Sequence, residues 1–191
     1  MTDPGLTNPH PPLIDCAIRL LRETDLAAYK KLRDGMLAGH PEAFTSDAAS
    51  ELSRDAESYR GRLSGGGGGA NLFTLVAWQG SDARQAEMVG AISCEHEARV
   101  KVRHVAHIVG MMVSDRLQGQ GVGRQLLERA LKMLRGEPVL ELVTLSVTAS
   151  NTAAVRLYER CGFRRYGRLE GAIKLPDGRL VDKDLMCLRL R

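Results

Sequence analysis

The sequence predicts an α+β fold in which a mixed, mostly antiparallel central sheet is flanked by helices. Three consecutive strand-like segments separated only by polar stretches favour antiparallel pairing, and a strand pair at the end of the chain does the same. Segments with helical spacing of apolar residues are segregated from these strands. A chain of 191 residues can bury a sufficient core as one domain without disulfides or a structural metal.

The amino-terminal part is predicted to hold a tail, a strand and a helix. Residues 1–15 include four prolines and little apolar content, so we expect a tail without fixed structure, followed by a single domain over residues 16–191. Residues 16–21 form the first predicted strand. A helix follows Thr24 and ends at residues 39–41, and its apolar positions recur at helical spacing: Leu26, Tyr29, Leu32 and Met36.

The middle of the chain is predicted to add a second helix and three strands. The second helix covers residues 47–63, with Leu52, Tyr59 and Leu63 on its inward side. The glycine run at residues 65–69 is interpreted as a surface loop, because no helix start follows it. The three strands are predicted over residues 72–78, 88–95 and 105–113.

The carboxy-terminal part alternates between helices and strands before it ends in a hairpin. Its first helix is strongly amphipathic, with one apolar face formed by Val122, Leu126, Leu127, Ala130, Leu131 and Leu134. Residues 139–148 alternate apolar and hydroxyl side chains, as a strand does. Asn151 is the predicted cap of a short helix, and two further strands flank a turn at residues 176–178. The predicted order is therefore β-α-α-β-β-β-α-β-α-β-β.

Composition argues against several classes of protein. The chain has 27 Lys plus Arg against 23 Asp plus Glu and only 4% aromatic residues, so it does not predict a nucleic-acid surface. No apolar stretch approaches the roughly 20 residues that span a bilayer, and the start lacks signal-peptide features, so we expect a cytoplasmic protein without a membrane partner. No metal is expected, since the four cysteines form no CxxC pair: Cys16, Cys94, Cys161 and Cys187.

A glycine-rich loop precedes the amphipathic helix. Glycines at every second position over residues 118–123 (QGQGVG) let backbone N–H groups approach a ligand, and the helix N-terminus favours an anion such as a pyrophosphate. Arg124 and Gln125 stand where an ATP-binding Walker A loop needs Lys and Ser or Thr. The GxGxxG dinucleotide fingerprint also fails in both registers. By itself, the loop is equally compatible with a tight turn whose glycines serve only the backbone.

The loop and residues 151–163 (NTAAVRLYERCGF) together resemble the GNAT superfamily of acyl-CoA N-acyltransferases. The first segment is similar to its Q/R-x-x-G-x-G/A motif and the second to its N-x-x-A-x-x-L-Y-x-x-x-G-F segment. This resemblance implies a GNAT-type sheet that splays open beside the strand ending at Val113, with acetyl-CoA as co-substrate in the gap. The residues it implies for binding CoA are Met111, Met112, Val113, Gln118, Gly119, Gln120, Gly121, Val122, Gly123, Arg124, Asn151 and Tyr158.

The resemblance also implies roles in acyl transfer. Tyr158 matches the family's tyrosine near the CoA sulfur and is predicted to be the general acid, although an ordinary core tyrosine would fit the same helix face. Several family members carry a glutamate where this chain has His107, six residues before Val113, and histidine can serve as the base. Even spacing places these two residues on one strand face unless a bulge intervenes. Glu95 and then His104 are the next candidates for the base.

The function predicted by this resemblance is transfer of acetyl from acetyl-CoA to a primary amine by direct attack in a ternary complex. The acceptor is expected to be a small molecule or a peptide amine, bound between residues 39–46, the second helix and the hairpin over residues 169–181. The alternatives are a CoA-binding regulatory domain without turnover and a protein N-terminal or lysine acetyltransferase. A homodimer is also a family-based expectation.

Overall fold

The computed structural model describes residues 14–64, 71–80, 85–97 and 99–191. Almost all of the predicted tail, and the glycine run at residues 65–69, lie outside these described residues. The α-helices are α1 (Leu26–Gly39), α2 (Ala48–Leu52), α3 (Val122–Gly136) and α4 (Thr152–Arg160). The strands are β1 (Ala17–Leu20), β2 (Asn71–Gln79), β3 (Glu87–His96), β4 (Val105–Val113), β5 (Leu142–Thr148), β6 (Arg164–Lys174) and β7 (Leu180–Arg189).

The strands form one sheet of order β1-β2-β3-β4-β5-β7-β6. Every neighbouring pair is antiparallel except β4 and β5, which run parallel. The predicted mixed, mostly antiparallel sheet and the predicted order of helices and strands are therefore confirmed.

Helices cover both faces of the sheet, and each face has its own hydrophobic core. The larger core lies under α3 and α4, whose buried residues pack against inward residues of β2 to β5 such as Ala106, Ile108 and Val143. The smaller core lies under α1 and includes Leu26, Tyr29 and, from β4, Met112. These two faces separate the elements of the candidate site, because α3 and α4 stand on one side and α1 on the other.

The region after α1 differs from the prediction. Instead of one helix over residues 47–63, the chain forms the five-residue helix α2 and then a 3₁₀ helix, Ala56–Arg62. Asp47 and Asp55 cap these two short helices by accepting N–H bonds from Ser50 and Ser58, so two caps divide the segment. The side chain of Tyr59 is buried as predicted, but Leu52 is 67% exposed, so its inward assignment is wrong.

A β-bulge in β4 changes which side chains share a face. Ala91 pairs with Met112 and Ser93 with Val109, so β4 has one more residue than β3 between these pairs. Gly110 takes a left-handed backbone conformation there, with φ of 69°, which a glycine adopts without steric cost. Before the bulge, Ala106 and Ile108 face the α3 side; after it, Met111 and Val113 do.

Among the described residues, no helix is both long and apolar enough to cross a membrane.

Candidate active site

The sheet is open between β4 and β5. Register pairs join Val105 to Leu142, Ala106 to Val143 and His107 to Thr144, and the pairing stops there. The remainder of β4 and the remainder of β5 diverge, which leaves strand edges unpaired on both sides of a gap. The opening expected beside Val113 is thus present.

A cleft of about 1520 Å³ occupies this gap and extends to both faces of the sheet. Sites for small ligands usually measure roughly 300–1,000 Å³, so this cleft has room for a long ligand and a second molecule. One side is lined by the glycine loop, α3 and α4, and the opposite side by α1 and the segment that follows it. We call these the donor side and the acceptor side.

The glycine loop presents backbone donors to the donor side. Gly119 and Gly121 both have left-handed backbones, with φ of 76° and 86°, and Gly121 is the residue before α3. Their N–H groups have no acceptor in the described part of the chain, and the first N–H groups of any helix also lack one. The N–H groups of Gln118 and Gln120 instead bond the carbonyls of Asp115 and Leu117. Free backbone N–H groups are therefore not present at every residue of the predicted range 118–124.

Three contacts hold this loop in place. The Asp115 carboxylate lies 2.6 Å from His40 Nε2 and accepts a bond of 2.7 Å from the Gln118 amide, which ties the loop to the end of α1. On the other side, Gln125 Nε2 donates to the Ile14 carbonyl at 2.9 Å. Ile14, which the sequence analysis placed in the tail, also packs against the larger core.

Arginines surround the donor side of the cleft. Arg124, in the first turn of α3, pairs with Glu128 at 2.7 Å, and Arg135, Arg156 and Arg160 also line the cleft. An arginine-rich lining beside free backbone donors suits a ligand with several phosphate groups. The sequence analysis missed three of these arginines, because single surface arginines on helices carry no distinguishing pattern.

Tyr158 lies where the donor side meets the gap. Its ring is 6% exposed and makes an edge contact with Phe163 at 5.8 Å between ring centres. Burial raises the pKa of the Tyr158 hydroxyl well above its usual range, and Cys161 adds to this shift. The hydroxyl has no hydrogen-bond partner in the part of the chain that the structure describes, and the residue lines the cleft. Tyr158 is therefore a protonated donor available to a ligand.

Asn151 and the end of β4 also line the cleft. The Asn151 side chain accepts a bond of 3.1 Å from the Ala154 N–H, so its predicted role as helix cap is confirmed. Met111, Met112 and Val113 border the gap with the strand edge that β5 leaves unpaired. Such an edge can accept an extended ligand as an added strand. Gln120 and Val122, by contrast, are not part of the lining, and Val122 is fully buried in the larger core.

His107 does not share a face with Val113, because the bulge that would break the even spacing is present. The bulge at Gly110 reverses the alternation, and His107 lies on the acceptor face of the sheet. Its Nδ1 is 2.7 Å from Thr144 Oγ1, directly before the gap opens, and it lies outside the cleft lining. Glu95 pairs with His107 across β3 and β4, and its carboxylate accepts a bond of 2.7 Å from Arg62.

The acceptor side contains a buried cluster that sequence analysis did not find. Glu51 on α2 accepts bonds from Arg33 Nε at 3.0 Å and from the Tyr59 hydroxyl at 2.7 Å, and Arg54 pairs with its other oxygen. Burial would raise the pKa of Glu51, but the bonds from Tyr59 and Arg33 outweigh it and hold this pKa below its usual value. Burial and the bond to Glu51 raise the pKa of Tyr59 to about 12. This cluster fixes α2 and the 3₁₀ helix against α1.

We expect Glu51→Gln to lower the free energy of unfolding at pH 7 by about 2 to 3 kcal/mol, because it removes one charge of a buried pair. The carboxylate's contribution is present above the pKa of an unfolded glutamate, about 4.3, and is lost as pH falls through the lower folded value. The difference between variant and wild type should therefore shrink in acid, as measured by urea denaturation at several pH values. Glu57→Gln, at an exposed ion pair with Arg60, is the control. A difference that stays constant with pH would contradict the electrostatic origin.

The predicted acceptor-binding segments are only partly present in the lining. Residues 42–46 and Arg62 line the cleft, as expected for the segment after α1 and the region of the second predicted helix. The hairpin over residues 169–181 contributes nothing to the lining, and Lys183 on β7 lines it instead. Among the described residues, no group of three or more His, Cys, Asp or Glu side chains is arranged to hold a metal ion.

Residues 40–163 match the family model described as acetyltransferase (GNAT) family, and the chain belongs to that family. This match confirms the resemblance drawn from the two motifs, and it covers the glycine loop, β4 and Tyr158. For acetyltransferases of this family, acetyl-CoA is the acyl donor, as expected.

The relatives have diverse activities. Mycothiol acetyltransferase of Salinispora tropica is 29% identical over 160 residues, covering 83% of this chain and 48% of that protein. N-alpha-acetyltransferase 30 of Schizosaccharomyces pombe is 30% identical over 81 residues, covering 42% of this chain and 53% of that protein. The chain thus spans about half the length of these relatives. The fold resembles yncA of Salmonella typhimurium, solved with its cofactor acetyl-CoA, with a TM-score of 0.70, 21% identity and coverage of 93% and 95%.

Proposed function

We propose that this chain transfers the acetyl group of acetyl-CoA to a primary amine by direct attack within a ternary complex. The observation that carries the proposal is the gap between β4 and β5, which joins a loop of free backbone donors to the hydroxyl of Tyr158. The Gly119 to Arg124 region, flanked by arginines, binds the phosphates. The pantetheine arm lies along Met111 to Val113.

In the proposed reaction, the amine nitrogen attacks the thioester carbonyl carbon, and the carbon–sulfur bond then breaks. Tyr158 donates its proton to the departing thiolate, and a backbone N–H of β4 near Met112 stabilises the oxyanion. A cysteine nucleophile is not favoured. Cys94 is fully buried with a pKa raised to about 12, and burial also raises the pKa of Cys161 in the cleft, so neither thiol is activated.

A coupled thiol-release assay tests this function over a panel of small primary amines and short peptides, with acetyl-CoA as donor. Release of CoA that depends on an amine supports the proposal, and mass spectrometry of the product identifies the acetylated nitrogen. Binding of acetyl-CoA by calorimetry without release for any amine would support the regulatory CoA-binding alternative. Turnover restricted to peptides would support the protein acetyltransferase alternative. A homodimer stays a prediction.

His107 is the proposed base, acting through a water on Nε2, because Thr144 holds its Nδ1 at the apex of the gap. A neutral imidazole is needed to accept the proton, so kcat/KM should rise with pH, and His107→Gln should remove that rise while CoA affinity is kept. His96→Gln is the matched control, since the His96 ring lies 3.2 Å from the Glu97 carbonyl and His96 is not part of the cleft lining. All variants are compared on one amine, so the amine's own ionisation is constant.

If His107→Gln keeps the wild-type profile and Glu95→Gln abolishes it, the base is Glu95. If neither changes the profile, ionisation of the amine in solution accounts for the pH dependence.

A further inference from the structure

Arg33 places a buried cation beside the gap on the acceptor side. Its side chain is only 9% exposed, and Nε and Nη2 bond Glu51 and Ser46 at 3.0 and 2.9 Å. The third nitrogen, Nη1, has no partner in the part of the chain that the structure describes. It lies 4.0 Å from the position that a Cβ would take on Gly110, the bulge residue of β4. A rigidly held donor therefore faces the point where the gap opens.

Lys183 provides a second cation on the same face. It pairs in register with Thr148, whose hydroxyl donates to the Glu42 carbonyl after α1, so both residues face the acceptor side. Lys183 lines the cleft, is half-buried, and has no ion pair within the described ranges. Burial lowers the pKa of its ammonium group, which is the result expected of a cation without a partner.

On this side, Glu51 is the carboxylate paired with Arg33, and Lys183 has no ion pair within the described ranges. Glu51 is shared by Arg33, Arg54 and the Tyr59 hydroxyl, and Glu95 pairs with Arg62. Neither of these glutamates lines the cleft; Glu42 does, and its charge acts on Arg179. An acceptor that supplied only an ammonium group would leave Arg33 Nη1 without a hydrogen-bond acceptor and Lys183 without a counter-charge in a partly buried cleft, which is costly.

We propose that the acceptor is an amine that also carries a carboxylate, and that Arg33 Nη1 and Lys183 bind this carboxylate on the acceptor side. The substrate class is amino acids and related small carboxylate-bearing amines. This inference rests on the proposed acetyltransferase function. A guanidinium fixed by Glu51 and Ser46 loses little side-chain freedom on binding, so its remaining donor recognises a carboxylate with little ordering cost.

The test compares matched pairs of amines, each an amino acid and its carboxamide, together with short peptides whose only carboxylate is remote from the amine. A charge-assisted hydrogen bond predicts that the wild type prefers the acid to the amide by about 10- to 100-fold in kcat/KM. Lys183→Gln and Arg33→Lys should each reduce this preference. Arg33→Lys keeps a positive charge beside Glu51 but removes the planar guanidinium group and its Nη1 donor. Arg54→Gln is the matched control, because Arg54 also contacts Glu51 but does not line the cleft.

Binding supplies a readout that does not require turnover. Calorimetry of the CoA-bound protein with N-acetylated amino acids and their amides should show tighter binding of the acids, and Lys183→Gln should weaken only the acids. Turnover with equal kcat/KM for acids and amides, or equal binding of both, would overturn this inference and leave the acetyltransferase function intact. Selective binding of the acids without turnover of any amine would support the inference and contradict the function.

Discussion

Gly121→Asp is expected to weaken CoA binding by about 100-fold or more while the chain stays folded. A carboxylate beside the pyrophosphate adds repulsion of roughly 1 to 4 kcal/mol per charge pair, depending on local screening. The new side chain also occupies the space that brings free N–H groups against the ligand. An acidic residue at a helix N-terminus does not itself oppose α3, because the helix dipole favours it there. Calorimetry with CoA measures the effect.

The chain offers a matched control for this variant. Gly178 lies in the β6–β7 turn with the same φ of 86° as Gly121, and a Cβ there meets no atom within 4 Å. Gly178→Asp therefore carries the same backbone strain, about 1 to 2 kcal/mol, and the same added charge, far from the loop. Both variants should lose similar stability, and only Gly121→Asp should lose CoA affinity. Equal CoA affinity in the two variants would refute the assignment of the loop.

Tyr158→Phe is expected to lower kcat by about 10²- to 10⁴-fold with little change in stability or CoA affinity. The substitution keeps the ring and its edge contact with Phe163 and removes one hydroxyl. Because the pKa of this hydroxyl is raised by burial, it stays protonated across the working pH range, and the wild type should show no alkaline loss of activity from this group. Single-turnover kinetics with an identified amine measure the chemical step directly.

Tyr166→Phe is the control for loss of a tyrosine hydroxyl, since Tyr166 on β6 is 60% exposed. It should leave kcat unchanged. If Tyr158→Phe retained the full single-turnover rate, Tyr158 would have only a packing role, and another donor would have to protonate the thiolate.

The order of helices and strands could be predicted because each element has a local signal. The apolar stripe of α3 and the alternation in β5 follow from helical and strand periods alone. The prediction of one helix over residues 47–63 was wrong for a reason that is also local. Asp47 and Asp55 cap two separate short helices where the apolar spacing suggested one. The sequence alone does not show whether capping residues or the helical spacing of apolar residues will decide where a helix begins and ends.

The candidate site was predictable on the donor side and not on the acceptor side. The loop and Tyr158 belong to contiguous motifs, whereas Arg33, Glu51 and Lys183 come together only through the fold. The His107 argument depended on strict alternation along β4. Gly110 could have signalled a bulge, since an isolated glycine within a strand pattern often marks one.

The gap between β4 and β5 also divides the sheet into two halves, β1 to β4 and β5 to β7. Within the described residues, β4 and β5 are joined by three register pairs, with two backbone bonds to the His104 carbonyl at the same end. The larger core beneath α3 spans both halves and holds them together by side-chain packing. In the proposed complex, the acyl donor lies along both open strand edges and would connect the two half-sheets. Its concentration then enters the folding equilibrium directly, adding about 2.7 kcal/mol at a hundred times its Kd. The concentration of the acyl donor would thus raise the free energy of unfolding as well as the reaction rate.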